Sequence, residues 1–316
     1  MDIFFWCLGI LAALTLLTII GAFICFLMVF YSPKKKPLGE NEYDIPSGKA
    51  YQKHRDAMIN WQKTVRSMPR EKLEIISHDG LKLCGYYYEY EKGAPIEIQF
   101  HGYKGSGERD LSGGVGRCFA IGRSVIIVDQ RGHGMSEGRV TTFGVKERYD
   151  CIRWAEYAVK RFGEDTKLIL TGVSMGAATV ILAAAEKPLP NVVCVLADCG
   201  YSSAEAIIKK VTKDLHLPVS LLYPFVKLGA RVFGGFDLDE ASPLKAAAKL
   251  EVPLIMFHGD SDTFVPCEMS QEVFEACSSE KKQLTFIKGA EHGLAYPTDK
   301  EKYLYEMRKT IDEWKL

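Results

Sequence analysis

The residues of this 316-residue chain that could do chemistry are a serine, an aspartate and a histidine, met in that order. Ser174 stands at the centre of Gly172-Val173-Ser174-Met175-Gly176. A serine hydroxyl is a weak nucleophile and needs a general base beside it. Histidines occur at 54, 78, 101, 133, 216, 258 and 292, and only His292 follows Ser174, Asp260 and Asp262 alike. An imidazole there would take the serine proton, and a carboxylate would fix its tautomer and stabilise the imidazolium. Asp262 is the expected carboxylate, because its loop can turn back towards His292. Asp260 suits the bonding of loop backbone. Asp198 is the outside candidate, its alternative role being a turn or helix cap. The chemistry is acyl transfer through an acyl-serine, which also needs donors for an oxyanion. These are expected from the backbone N–H of Met175, after the nucleophile, and of Tyr103, after His101-Gly102. The Met and Tyr side chains are incidental to that role.

The G-x-S-x-G pattern recurs as Gly134-Met135-Ser136-Glu137-Gly138, so the elements around each copy must decide between them. Leu168 to Thr171 reads as a buried strand, and an Ala-rich helical run follows Gly176 to Glu186. Strand, tight turn and helix place Ser174 at a strained apex with its hydroxyl above the sheet edge. Glycine is required at 172 and 176, where a side chain would collide with the neighbouring strand or helix. The second copy lies in a glycine-rich loop with no helical run directly behind it.

The remaining elements fit around that turn. Leu73 to Ser77 and Leu81 to Tyr90 form a hairpin about Asp79-Gly80. Ile96 to Phe100, Ser124 to Val128, Val192 to Ala197, Pro253 to Phe257 and Gln283 to Ile287 read as further strands. Helices are expected over 108–121, 145–162 and 299–314, the last capped by Thr298. Alternation of strand and helix means an α/β fold, a mostly parallel sheet covered by helices on both faces, with the hairpin as an antiparallel edge. Each polar cluster follows a strand, at the end of the sheet where such folds carry their sites.

Taken together the chain resembles the α/β-hydrolase superfamily over residues 70–316. It looks most like the serine-hydrolase branch of monoacylglycerol-lipase-like and serine-aminopeptidase-like enzymes. The residues that carry this are His101-Gly102-Tyr103, the run from Asp129 to Ser136, Gly172 to Gly176, Asp262 with Val265-Pro266, and His292-Gly293. The resemblance implies that Asp129 to Ser136 supports the loops, which makes His133 and Ser136 structural. It implies no metal and no organic cofactor. Ser174 sets the chain apart from dehalogenases and epoxide hydrolases of this fold, which carry Asp at the elbow. Such families insert a helical cap, here expected at about 201–250. Ala204 to Leu215 and Pro218 to Phe233 read as its apolar helices, either packed over the sheet or forming an acyl-binding lid.

Residues 1–32 read as a transmembrane anchor. From Ile3 to Tyr31 there is no charge, a run longer than the ~20 residues that cross a bilayer. Lys34-Lys35-Lys36 on its carboxyl flank points to a catalytic domain on the cytoplasmic side. Residues 33–69, with Pro33, Pro37, Pro46 and Pro69, read as a polar tether with one helical piece near Lys49 to Met68. Lys and Arg number 40, as do Asp and Glu, and no basic stripe suggests nucleic acid. Nine cysteines without a CxxC or Cys/His spacing suit buried thiols in a reducing compartment.

The expected function is a membrane-anchored serine hydrolase of an ester or similar acyl bond, its substrate a small, lipid-like acyl compound. A peptidase or acyltransferase shares the triad chemistry. An inactive scaffold on the same fold is the alternative of another class.

Overall fold

The computed structural model describes residues 2–34, 36, 38–189 and 191–316. Lys35 and Pro37, parts of the basic flank and the tether reading, lie outside the described residues. Three helices precede the sheet: α1 (Asp2–Val29), α2 (Lys49–Gln52) and α3 (Arg55–Ser67). The chain then alternates through β1 (Glu71–Ile76), β2 (Lys82–Tyr88), β3 (Ile96–Phe100), α4 (Gly107–Ala120), β4 (Ser124–Val128), α5 (Glu147–Phe162), β5 (Leu168–Val173), α6 (Met175–Glu186) and β6 (Val192–Asp198). The excursion before β7 (Leu254–Gly259) holds α7 (Ala204–Asp214), α8 (Val219–Gly229) and α9 (Pro243–Ala247). The chain closes with α10 (Cys267–Ala276), β8 (Lys282–Ile287), α11 (Ala295–Thr298) and α12 (Lys300–Trp314).

The strands form one sheet in the order β1-β2-β4-β3-β5-β6-β7-β8. The first two pairings, β1 with β2 and β2 with β4, are antiparallel, and every later pairing is parallel. All five residues of β3 and of β4 are buried; β4 is accordingly a nearly unbroken apolar run, whereas β3 carries Glu97 and Gln99 into the interior. On one face, Trp154 of α5, Ala177 and Val180 of α6 and Val273 of α10 close over Ile98, Leu170 and Val195. The other face is covered by α4 and α12, where Tyr303 and Met307 pack on Leu196, Ile255 and Phe257.

The end of the stretch expected to be an anchor (1–32) and the helix within the expected tether (33–69) both pack on the domain. Phe26 of α1 and Phe30 just after it are buried with Phe143 and Phe236. Tyr31 forms a β-bridge with Val140, and the Ser32 N–H donates to Arg139 O at 2.8 Å. Further on, α3 packs along α4, with Val65 buried against Leu111 and Val115. Arg66 pairs with Glu108 at 2.6 Å. The reason is in the pattern: Met58, Trp61, Val65 and Met68 fall on one helical stripe, which the surrounding charges and prolines mask. Within α1, Ile3–Val29 is long and apolar enough to cross a membrane.

Two further details differ from the sequence reading. The helix expected to start at 299 under a Thr298 cap begins at Lys300, and Asp299 caps it by accepting the Lys302 N–H at 3.0 Å. Thr298 is the last residue of the preceding α11. The helix expected over 218–233 ends at Gly229 and runs into a π-turn, Ala230–Gly234. A side chain on Gly229 would come 2.5 Å from Ala22 O, so α1 and α8 touch backbone to backbone there.

Candidate active site

The turn between β5 and α6 is as tight as its sequence demands. Ser174 has φ +56° and ψ −113°, a conformation that costs free energy in a non-glycine residue. A Cβ on Gly172 would lie 2.0 Å from the Gly176 backbone, and one on Gly176 would lie 2.0 Å from Phe100 O. No other residue fits either place. The Ser174 N–H donates to Asp198 O at 2.8 Å, which stitches the apex to the neighbouring strand. Met175 opens α6, so its N–H is one of the donors a helix leaves without an intrahelical partner.

Two loops bring the other groups to Ser174. His292 Nε2 lies 2.9 Å from Ser174 Oγ, and His292 Nδ1 lies 2.7 Å from Asp262 Oδ2. The second oxygen of Asp262 accepts the N–H groups of Phe264 and Val265 at 2.9 and 2.8 Å. Burial opposes ionisation of Asp262, yet hydrogen bonds from His258 and His292, and from the Val265 N–H, hold its carboxyl well below the usual range. With Nδ1 facing a carboxylate, the neutral His292 tautomer leaves Nε2 free to take a proton from Ser174.

The other acids are placed elsewhere. Asp260 accepts the Gly289 N–H at 2.7 Å and does not reach His292. Asp198 caps no helix: it is buried at the end of β6, bonded to the Tyr303 hydroxyl at 3.0 Å. Ser136 is buried too, its hydroxyl taken up by Cys84 N and Asp129 O.

The loop after β3 carries the second expected oxyanion donor, and the Asp129–Ser136 segment props it. The Gln130 N–H donates to His101 Nε2 at 3.0 Å, so the neutral ring carries its proton on Nδ1 and donates it to Gly102 O at 2.7 Å. Burial pushes this imidazole well below its ordinary range, which keeps it neutral. Asp110 accepts the Gly102 N–H at 3.2 Å. The Tyr103 side chain has a task of its own, donating its hydroxyl to Val29 O at 2.6 Å.

A cavity of about 610 Å³ opens over Ser174 and His292. Its walls include Tyr51, Met58, Trp61, Leu111, Phe264 and Tyr296. Among the described residues, none from 201–250 lines it, which corrects the acyl-binding-lid reading of the cap. The apolar faces of α7 and α8 instead pack on Met175, Ala178, Phe143 and the end of α1. The wall expected from the cap comes from α2 and α3.

Sequence reasoning also missed His258, which is fully buried with Nε2 3.2 Å from Asp262 Oδ2 and 2.9 Å from Val265 O. Its other nitrogen meets Ser270 Oγ at 2.6 Å. Its place four residues before Asp262, at a strand end, was the available signal. Cys199, Asp262 and His292 have potential ligand atoms within 4.8 Å of one another, as do His78, Asp79 and Asp150. In the first group burial pushes the Cys199 thiol well above its ordinary value, away from the thiolate that binds metals. In the second, both carboxylates pair with Arg131.

Sheet order, sharp elbow and the aligned serine, histidine and aspartate define an α/β hydrolase. The chain belongs to the Hydrolase_4 family, described as serine aminopeptidase, S33, whose model matches residues 98–231 and 240–299. Its relatives include the uncharacterized protein YqkD of Bacillus subtilis, 27% identical over 195 residues that make up 61% of this chain and 62% of YqkD. This match therefore spans less than two thirds of that relative's length. Protein bem46 of Schizosaccharomyces pombe is 24% identical over 224 residues, 69% of each chain. Among solved structures, the Pyrococcus furiosus esterase Pf2001 superposes with a TM-score of 0.66 at 24% identity, over 88% of this chain and 99% of that one. Mouse α/β hydrolase domain-containing protein 10 gives 0.55 at 19%, over 77% and 99%. At such identities the structures speak for the fold alone. The chain has the α/β-hydrolase fold.

Proposed function

We propose that this chain is a membrane-anchored serine hydrolase that cleaves a carboxylic ester or similar acyl bond. The observation that carries the reading is the unbroken line Ser174 Oγ, His292, Asp262 Oδ2, with separations of 2.9 and 2.7 Å. Ser174 Oγ attacks the acyl carbon while His292 Nε2 takes its proton. The N–H groups of Met175 and Tyr103 receive the oxyanion. Collapse expels the alcohol, which leaves with the proton from His292. A water molecule then repeats the sequence on the acyl-serine, and Ser174 is regenerated. Asp262, held ionised, keeps Nδ1 protonated and stabilises the imidazolium.

The length of Ile3–Val29 supports anchoring, and Lys34 and Lys36 on its carboxyl flank support a cytoplasmic domain. Met58, Trp61, Leu111 and Phe264 give the cavity apolar wall suited to an acyl chain of modest length. The family's description favours one second reading, an aminopeptidase on the same three residues. One experiment addresses both. The full chain, in detergent, is labelled with a fluorophosphonate and assayed on p-nitrophenyl esters of increasing acyl length and on aminoacyl p-nitroanilides. Labelling and ester turnover that vanish in Ser174→Ala are expected. Turnover of the anilides alone would move the assignment to the peptidase, and absence of both labelling and turnover would end it.

A further inference from the structure

The cavity does not stop at the nucleophile. On the face covered by α4 and α12 it continues inward to Gln99, Arg117, Thr171, Asp198 and Tyr303. Sheet register sets Gln99 beside Thr171 and Val173 beside Asp198, so polar side chains floor the cavity where an ordinary core would be aliphatic. One of them is unsatisfied. Asp198 Oδ1 has no hydrogen-bond partner, although Asp198 is 6% exposed, and Thr171 Oγ1, 3% exposed, lies against the Glu97 carboxylate with no donor to it. A closed-off acceptor without a donor is costly, and proteins leave few of them.

The surroundings do not neutralise Asp198. Tyr303 of α12 donates to its Oδ2 only. Arg117 of α4 is committed to Glu97, which Arg123 also approaches at 3.3 Å. His258 of β7 is bonded to Asp262, Val265 and Ser270, and His292 lies between Asp262 and Ser174. Burial pushes the Asp198 carboxyl up to about 6, while the Tyr303 bond and the His258, Arg117 and His292 charges pull the other way. Asp198 is also fixed close to the reaction, since its own carbonyl takes the Ser174 N–H at 2.8 Å.

We infer that the inner end of the cavity is a recognition subsite for a hydrogen-bond donor on the substrate, a hydroxyl or an ammonium a few bonds from the scissile carbonyl, received by Asp198 Oδ1 with Thr171 Oγ1 beside it. This deepens the serine-hydrolase reading and rests on it. Acyl substrates carrying such a group are favoured over plain aliphatic ones, because only they satisfy the buried carboxyl. The apolar walls nearer the mouth take the rest of the molecule.

The test compares kcat/KM of the full chain in detergent on matched esters. One set is p-nitrophenyl butanoate with its 3-hydroxy and 3-amino analogues. The other is the butanoate esters of propanol and of propane-1,3-diol, which place the donor on the alcohol side. At least one donor-bearing ester is expected to exceed its plain partner by about tenfold or more. Asp198→Leu brings that ratio to near one. Asp198→Asn, which keeps an acceptor oxygen but no charge, retains preference for a hydroxyl and loses preference for an ammonium, and so identifies the source. Equal turnover of plain and donor-bearing esters by the unaltered protein overturns the subsite, as does a ratio that survives in folded Asp198→Leu. Should that variant not fold, the same ratio in Thr171→Val decides. Absence of fluorophosphonate labelling together with absence of all ester turnover would overturn the serine-hydrolase reading, and the subsite with it.

Discussion

The Tyr51 hydroxyl donates a hydrogen bond to the main-chain carbonyl of His292, 3.0 Å away and 241 positions along the chain. A short helix ahead of the sheet thus holds the loop that presents the imidazole. Tyr51→Phe removes that bond and keeps the ring. A neutral hydrogen bond contributes about 1 kcal/mol, so kcat/KM should fall about fivefold with little change in Tm. Unchanged kcat/KM would mean that the loop needs no such support.

The two G-x-S-x-G serines should separate cleanly. Ser174→Ala is expected to lower the rate by several orders of magnitude with the fold intact. Ser136→Ala strands the buried Cys84 N–H that its hydroxyl satisfies, so it should lose about 1–3 kcal/mol of stability and keep fluorophosphonate labelling. Thermal melts and labelling of both variants check this, and near-normal turnover by Ser174→Ala contradicts it.

The carboxylates can be ranked by rate. Asp262→Asn stabilises the wrong His292 tautomer and should cost about 10⁴-fold in kcat. Asp260→Asn disturbs only bonds from Gly289 N and the Ser261 hydroxyl and should stay near the unaltered rate. His258→Asn, which deprives Asp262 of one partner, should fall between them. Steady-state kinetics on folded variants test the order, and a larger loss for Asp260→Asn than for Asp262→Asn reverses the assignment.

Stability should carry the signature of Asp198. Its carboxyl lies at about 6 in the folded chain against an ordinary 3.8, so the folded state keeps a proton that the unfolded state has released. Its contribution is therefore full below about pH 4 and is lost as pH rises to about 6, amounting to about 3 kcal/mol. Asp198→Asn cannot ionise. Its Tm relative to the unaltered protein should climb over this window, whereas parallel Tm curves in detergent would show that Asp198 does not titrate there.

Much of this fold can be read from the chain because its signals are local. Ser124–Val128 is an apolar run and Ile96–Phe100 a short strand of alternating apolar and polar residues, both bounded by turn residues, and the structure places both strands at those bounds. Ser174, Asp262 and His292 could be nominated because their order along the chain and their positions after strands are sequence properties. What escaped depends on distant partners. Nothing near Tyr51 announces His292, and the stripe of Met58, Trp61 and Val65 gains meaning only when α4 lies beside it. The helix Cys267–Ala276 went unread because Ser270 and Val273 are its only buried residues. The cap misled for the opposite reason: its helices are apolar, but their apolar faces are spent on α1 and the start of α6.

The last turn of α1 is bonded to the loop that carries the proposed oxyanion donor, through Tyr103 Oη to Val29 O at 2.6 Å and Lys104 Nζ to Met28 O at 3.2 Å. The same turn, with the residue just after it, sends Phe26 and Phe30 into the cluster around Phe143 and Phe236. Cutting the chain after residue 32 would therefore not release a water-soluble enzyme with its workings untouched. It would strip a wall from the core and unclamp the loop beside Ser174. A push or tilt applied to α1 is passed by the same contacts to that loop, as a handle moves a latch. If α1 spans a bilayer as proposed, the thickness and stiffness of that bilayer become settings of the proposed catalyst.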